Sequence, residues 1–205
     1  MERGVPVSVH AKTERLTLRE FTTEDVDALY ALESLPEVVR FQEYPPRTPE
    51  QAREVVEAIL RGQTEWPRRH LELAVVREGE FVGRIGAWAE DGAAALWYAF
   101  MPHAQGRGLA TEAMRAFLPL VAAGRLTIEC DPRNVPSWRL AERLGFVRES
   151  LTERAFEMKG EWVGSVVYAL DPGAERETHV AEFTAGETRE AAWNPTRTTP
   201  GSSSA

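Results

Sequence analysis

A chain of 205 residues with 43% apolar and 27% charged residues lies near the globular average, which excludes wholesale disorder and collagen-like structure and leaves room for one medium domain with a tail. The 32 Asp and Glu outnumber the 24 Lys and Arg, giving a net charge of −8, the wrong sign for gripping a phosphate backbone, so nucleic acid is not an expected partner. The longest apolar run, Ala93 to Met101, is about half of a membrane-spanning helix, and Met1 to Pro6 carries no signal-peptide hydrophobic stretch; a soluble, cytoplasmic protein without membrane contact is expected.

Taken in chain order, residues 1–12 read as an N-terminal extension and residues 13–171 as the folded domain. Leu16 to Phe21 alternates as a strand; Thr22 and Asp25 then open a helix with Val26, Leu29 and Tyr30 on one face. Thr48-Pro49-Glu50-Gln51 is a capping box with Pro at the first helical position, followed by Ala52, Val55, Val56 and Ile59 at helical spacing, which predicts a helix to about Arg61. Leu71 to Arg77, a turn at Glu78-Gly79-Glu80, and Phe81 to Trp88 read as a β-hairpin, and Ala94 to Met101 as a third antiparallel strand.

Ala110, Ala113, Met114, Phe117, Leu118 and Val121 mark a helix that tolerates Pro119 near its end and stops at Gly124. Leu126 to Cys130 is a short strand, a helix capped near Asn134 carries Leu140 and Leu144 and ends at Gly145, and Ser165 to Leu170 is the last strand. Strands and helices in this order define an α+β, mixed α/β sandwich around one sheet. Beyond Pro172 the composition shifts: 15 of the last 34 residues are Gly, Pro, Ser or Thr, with no Leu or Ile, so residues 172–205 read as a flexible tail.

Chemistry concentrates at Met101-Pro102-His103-Ala104-Gln105-Gly106-Arg107-Gly108-Leu109-Ala110-Thr111-Glu112. A strand enters a loop with two glycines spaced by one residue, and a helix starts at once, so consecutive backbone N–H groups and the helix dipole converge on one space suited to an anion. Gly106 and Gly108 admit close approach, and Arg107 can add a charge-assisted bond; the competing reading is a tight turn whose glycines serve geometry alone. A Walker A motif is absent, the single Cys130 cannot form an intrachain disulfide, and the four histidines are scattered, so neither a disulfide framework nor a metal site is expected.

Gln105-Gly106-Arg107-Gly108-Leu109-Ala110 resembles the acetyl-CoA loop of the GNAT superfamily of N-acetyltransferases. With Arg15-Leu16-Thr17-Leu18-Arg19 before it, and Thr111-Glu112-Ala113, Asn134-x-x-Ser137 and Leu144-Gly145-Phe146 after it, the chain is similar to the RimJ/RimL branch from about Thr13 to Leu170. The resemblance implies a mostly antiparallel sheet, flanked by helices, that splays between the strand ending near Met101 and the strand Leu126 to Cys130. It places pantetheine along the backbone of Tyr98, Phe100 and Met101, the pyrophosphate on the N–H groups from Gly106 to Thr111, with Gln105 also at the cofactor, and Asn134 and Ser137 at the site. Acetyl-CoA is the implied co-substrate, with no metal, and the acceptor is a primary amine, either a protein N-terminus or a small molecule, served by a monomer or homodimer.

In that setting Ser137 is the residue able to hydrogen-bond the departing sulfur, because the position where much of the superfamily has a tyrosine is Ala141 here. No carboxylate lies on the strand before the loop, leaving Glu43, Glu72, Glu90 and Glu129 as alternative bases. An α-amine, with a pKa of about 8, is partly neutral at pH 7 and is the easier acceptor. Gly164 stands where relatives commonly carry Asp. A protein that binds CoA without turnover, as a sensor or partner subunit, is the alternative.

Overall fold

The computed structural model describes residues 8–171. One sheet is built from β1 (Val9–Lys12), β2 (Thr17–Glu20), β3 (His70–Arg77), β4 (Glu80–Glu90), β5 (Ala93–Phe100), β6 (Arg125–Cys130), β7 (Val147–Met158) and β8 (Glu161–Leu170), in the order β1-β2-β3-β4-β5-β6-β8-β7. Only β5 and β6 pair in parallel; the other neighbours are antiparallel. The α-helices are α1 (Val26–Glu33), α2 (Pro36–Val39), α3 (Pro49–Gln63), α4 (Leu109–Phe117) and α5 (Val135–Arg143). This is the expected α+β architecture.

Strand alternation divides the apolar side chains between two layers. Leu73, Val75, Ile85, Leu96, Leu126 and Ile128 face α4 and α5, where Leu109, Met114, Phe117 and Leu140 complete the larger core. On the opposite face Ala74 packs with Leu29 and Leu32 of α1, Val56 and Ile59 of α3, and Phe21 and Phe81, whose rings meet edge to face. The capping box at Thr48 forms as expected, with Gln51 N–H on Thr48 Oγ1 at 3.3 Å and Thr48 N–H on Gln51 Oε1 at 2.9 Å.

Several boundaries differ from expectation, each for a local reason. A single 3-10 turn, Thr23–Asp25, precedes α1, with Thr22 N–H donating to Asp25 Oδ2 at 2.8 Å. α4 stops at Phe117, before Gly124, because Pro119 supplies no donor and the chain tightens into a 3-10 turn at Leu118–Leu120. Residues 9–12, expected as an extension, form β1 and pair with β2. β8 starts at Glu161 and has an outer partner, β7, that periodicity did not disclose. The expected tail, 172–205, lies outside the described residues.

The feature that positions the site is the parting of β5 from β6. They pair only through Ala93–Arg125, Ala94–Leu126 and Ala95–Thr127. Beyond Ala95, β5 stays on β4 as far as Phe100, while β6 stays on β8 as far as Cys130, so the sheet opens between them. Twist accumulated in the long β3–β4–β5 meander and in the β6–β8–β7 unit has no ladder to reconcile it there.

Candidate active site

Along the open edge of β5 the backbone alternates. Met101 N–H donates to the Val82 carbonyl at 2.9 Å, so residues 101, 99 and 97 bond towards β4 and residues 96, 98 and 100 turn their polar groups towards the gap. Tyr98 therefore presents both backbone groups. Phe100 presents its N–H, its carbonyl already accepting from Gln105 Nε2 at 2.9 Å. Of the three residues expected to line the gap through their backbone, Met101 spends its N–H inside the sheet.

After a 3-10 turn at Pro102–Ala104, Gly106 and Gly108 adopt φ of +72° and +77°, the left-handed region that glycine enters without penalty. α4 begins at Leu109, and its first helical bond runs from Glu112 N–H to the Gly108 carbonyl at 3.0 Å. Among the described residues, no acceptor bonds the N–H groups from Gly106 through Thr111. Leu109 is buried in the core, so it offers backbone alone, whereas Arg107 is exposed. Gln105, expected at the cofactor, holds the loop to the end of β5.

A brace not foreseen from the sequence steadies this loop. Glu112, in the first turn of α4, accepts from Thr13 Oγ1 at 2.5 Å, from Arg15 N–H at 3.0 Å and from Arg15 Nε at 2.7 Å, while Arg15 Nη1 donates to the Arg107 carbonyl at 3.1 Å. Burial raises the Glu112 carboxyl and these donors outweigh it, leaving it below its ordinary value. The turn between β1 and β2 thus fixes the loop from behind.

On the α4 face of the gap, Ser137 sits in the first turn of α5, 8% exposed, and its Oγ lies 2.7 Å from Tyr98 Oη; the phenol also reaches the Ser137 carbonyl at 3.2 Å. Burial, only partly offset by the Ser137 bond, pushes the phenol above its ordinary value, so it stays a proton donor. Ala141 is fully buried, and the phenol missing there is supplied from β5. Asn134 occupies the N-cap position, but its side chain makes no capping bond; its carbonyl accepts from Ser137 N–H at 3.0 Å. Cys130 points to the same face, and burial raises its thiol, which leaves it protonated at neutral pH.

The opposite face carries a buried ionic network. Arg84 bridges Glu33 at 2.7 Å and Glu72 at 2.5 Å; Glu33 also accepts from Tyr44 Oη at 2.7 Å and Arg47 Nε at 2.6 Å, and Glu72 contacts His70 Nε2 at 2.9 Å and Trp97 Nε1 at 3.2 Å. Burial would raise Glu72, yet Arg84 and its hydrogen bonds hold it below the ordinary carboxylate range. With its oxygens committed, Glu72 is not a base. Glu90 pairs with Arg69 near the closed end of the β5–β6 gap, and Glu43 is exposed on the loop after α2. Glu129 alone of the four lies on the splayed strand β6, where Ser165 Oγ donates to it.

Gly164 explains the departure at its position. A Cβ there would stand 2.9 Å from the Thr152 carbonyl oxygen and 3.1 Å from Pro132 Cγ, where β7 bulges between Thr152 and Phe156. No side chain fits. Among the described residues there is no group of three or more His, Cys, Asp or Glu placed to hold a metal, and no helix is long and apolar enough to cross a membrane.

A mixed sheet opened beside a glycine loop and a helix N-terminus defines an acyl-transfer enzyme of the N-acetyltransferase class. The acetyltransferase (GNAT) domain model matches residues 15–147, and the chain belongs to this family. It is 29% identical to the uncharacterized N-acetyltransferase p20 of Bacillus licheniformis over 166 residues, 77% of this chain and 93% of that protein. A GNAT-family acetyltransferase of Bacillus anthracis superposes with a TM-score of 0.67 at 26% identity, over 78% of this chain and 96% of the other. The ribosomal L7/L12 alpha-N-protein acetyltransferase RimL, in complex with coenzyme A, superposes with a TM-score of 0.72 at 21% identity, over 80% and 98% of the two chains, and shares the fold.

Proposed function

We propose that the protein binds acetyl-CoA from the α4 face of the β5–β6 gap and transfers its acetyl group to a primary amine, a protein N-terminus or a small amine, by direct attack in a ternary complex. The observation that carries this reading is the run of unbonded N–H groups, Gly106 through Thr111, opening onto the same gap as the Tyr98–Ser137 pair. That RimL, which shares this fold, is in complex with coenzyme A supports CoA binding.

When bound, the thioester supplies an acetyl carbon that the amine nitrogen attacks, forming a C–N bond as the C–S bond breaks. Backbone N–H groups from Gly106 to Thr111, at the positive end of α4, hold the pyrophosphate. Tyr98 pairs through its backbone with the pantetheine arm as an added strand and aligns it. Ser137, with Tyr98 behind it, donates a hydrogen bond to the departing sulfur and passes it a proton; the phenol replenishes the hydroxyl. Arg107 adds charge at the exposed end of the loop.

Calorimetric titration with acetyl-CoA, followed by measurement of free CoA with a panel of primary amines, tests the reading. Binding with amine-dependent CoA release is expected. Binding without release for any amine would make the protein a CoA-binding sensor or partner, and absence of binding would remove the cofactor assignment.

A further inference from the structure

Glu112 holds the glycine loop by two different groups. Its N–H donates to the Gly108 carbonyl at 3.0 Å, and its carboxylate grips the Arg15 guanidinium, with Nε at 2.7 Å and Nη2 at 2.5 Å, so that Nη1 reaches the Arg107 carbonyl at 3.1 Å. Two consecutive carbonyls, those of Arg107 and Gly108, are therefore tied to one residue, the first through Arg15 and the second directly. In a planar trans peptide the N–H points opposite to the carbonyl. Fixing both carbonyls from behind aims the N–H groups of Gly108 and Leu109 the other way, and among the described residues neither has an acceptor. The peptide unit between Arg107 and Gly108 has most need of a tie, because Gly108, at φ +77° and without a Cβ, lets that unit rotate. Arg15 is itself held by a tight turn: Thr13 N–H donates to the Leu16 carbonyl at 2.9 Å, Leu16 N–H to Thr13 Oγ1 at 2.9 Å, and Thr13 Oγ1 to Glu112 at 2.5 Å.

We infer that Arg15 and Glu112 are positioning residues for the cofactor's diphosphate: by holding the Arg107 carbonyl, Arg15 keeps the Gly108 N–H turned into the phosphate site, and Glu112 holds Arg15 in place. This rests on the acetyl-CoA reading and extends it to side chains that sit behind the loop. Charge alone predicts something different. A carboxylate in the first turn of α4 repels a diphosphate, so its removal would tighten binding, and any cation at position 15 would serve to neutralise it. Orientation predicts the opposite sign at Glu112 and a specific need for guanidinium at Arg15, because only a fork holds a carboxylate with two nitrogens and keeps a third for a carbonyl. An N–H already aimed needs no reordering when the anion arrives, which is how a group without contact to the ligand raises affinity.

The test uses the full chain, titrated by calorimetry with acetyl-CoA and with inorganic pyrophosphate. Arg15→Lys and Glu112→Gln should each weaken acetyl-CoA binding by about tenfold or more, with melting temperatures within a few degrees of wild type. In turnover, the preference for acetyl-CoA over S-acetylpantetheine, which lacks the diphosphate, should fall by a similar factor in both variants, whereas a merely loosened fold would depress both thioesters alike. Wild-type affinity in Arg15→Lys, or unaltered or tighter binding in Glu112→Gln, would overturn the inference and leave acetyl transfer standing. If wild-type protein binds no acetyl-CoA, the proposed function fails instead, and pyrophosphate then decides: binding that weakens in both variants supports the positioning pair, and no binding, or binding that either variant leaves unaltered, overturns it.

Discussion

Tyr98 Oη lies 2.7 Å from Ser137 Oγ, joining β5 to the first turn of α5 across the gap where the sheet parts. Either hydroxyl alone would be a common buried group; together they form a proton donor with a second donor behind it. Ser137→Ala should lower kcat by roughly 10- to 1,000-fold with little change in KM for acetyl-CoA, the range of one or two hydrogen bonds made in the transition state. Tyr98→Phe should cost less, and the double variant should fall no further than Ser137→Ala, because the phenol acts through the serine. Steady-state kinetics of the three variants decides this, and additive losses would separate the two groups.

Gly108 caps α4 at φ +77°, with only Arg15 Nη2, at 3.7 Å, near the position of an added Cβ. The fold has space for a side chain, but the backbone conformation and the proposed phosphate path do not. Gly108→Val should strain the loop by about 1–3 kcal/mol and weaken acetyl-CoA binding more than tenfold, as read by calorimetry on protein whose circular dichroism is unchanged. Undiminished affinity would move the pyrophosphate elsewhere.

Glu72 has a depressed folded-state pKa, so the sign of its contribution is clear. Stability is fully present above the ordinary carboxylate pKa of about 4.3 and is lost as pH falls through the lower folded value. Asp25, held by Arg19 at 2.7 Å, acts in the same direction: burial raises it, and Arg19 and Thr22 hold it down. Urea unfolding should therefore show a plateau above about pH 5 and a decline below it. Glu72→Gln should cost about 3–5 kcal/mol at pH 7, because Arg84 loses a buried partner, and should flatten part of the acid slope.

At Gly164 the expected outcome concerns shape. Gly164→Asp should destabilise the protein by about 1–3 kcal/mol, since its Cβ would press on the Thr152 carbonyl and Pro132. Chemical denaturation of Gly164→Ala and Gly164→Asp tests this, and a neutral Gly164→Ala would show that the bulge yields.

The helices and the β3–β4–β5 meander were legible because one-sided apolar periodicity and capping residues coincide there, as at Thr48 to Ile59 and Ala110 to Phe117. β7 was not, since nearly all of Val147–Met158 is exposed and an edge strand outside both cores needs no alternation. The turn into α4 could be read because two glycines spaced by one residue before a helical run mark a left-handed approach to the helix. Tyr98 was legible as backbone but not as a phenol, because its partner is 39 residues away and only topology joins them. Gly86 within a strand was the available sign that a large side chain crosses β4, and Trp97 is that side chain.

Lys159 closes the β7–β8 hairpin onto α2, its Nζ donating to the Val39 carbonyl at 2.7 Å and the Arg40 carbonyl at 3.5 Å. The hairpin runs past the last β6–β8 pair, Cys130–Val166, so this contact ties two distant stretches of chain together beyond the wide end of the gap. An aperture with a joined rim admits a thread but not a rope. If acetyl transfer runs through the gap as proposed, the acceptor's way in is bounded by this tie, and an amine at a chain end or on a slender polyamine would meet it more readily than one set in the middle of a folded surface.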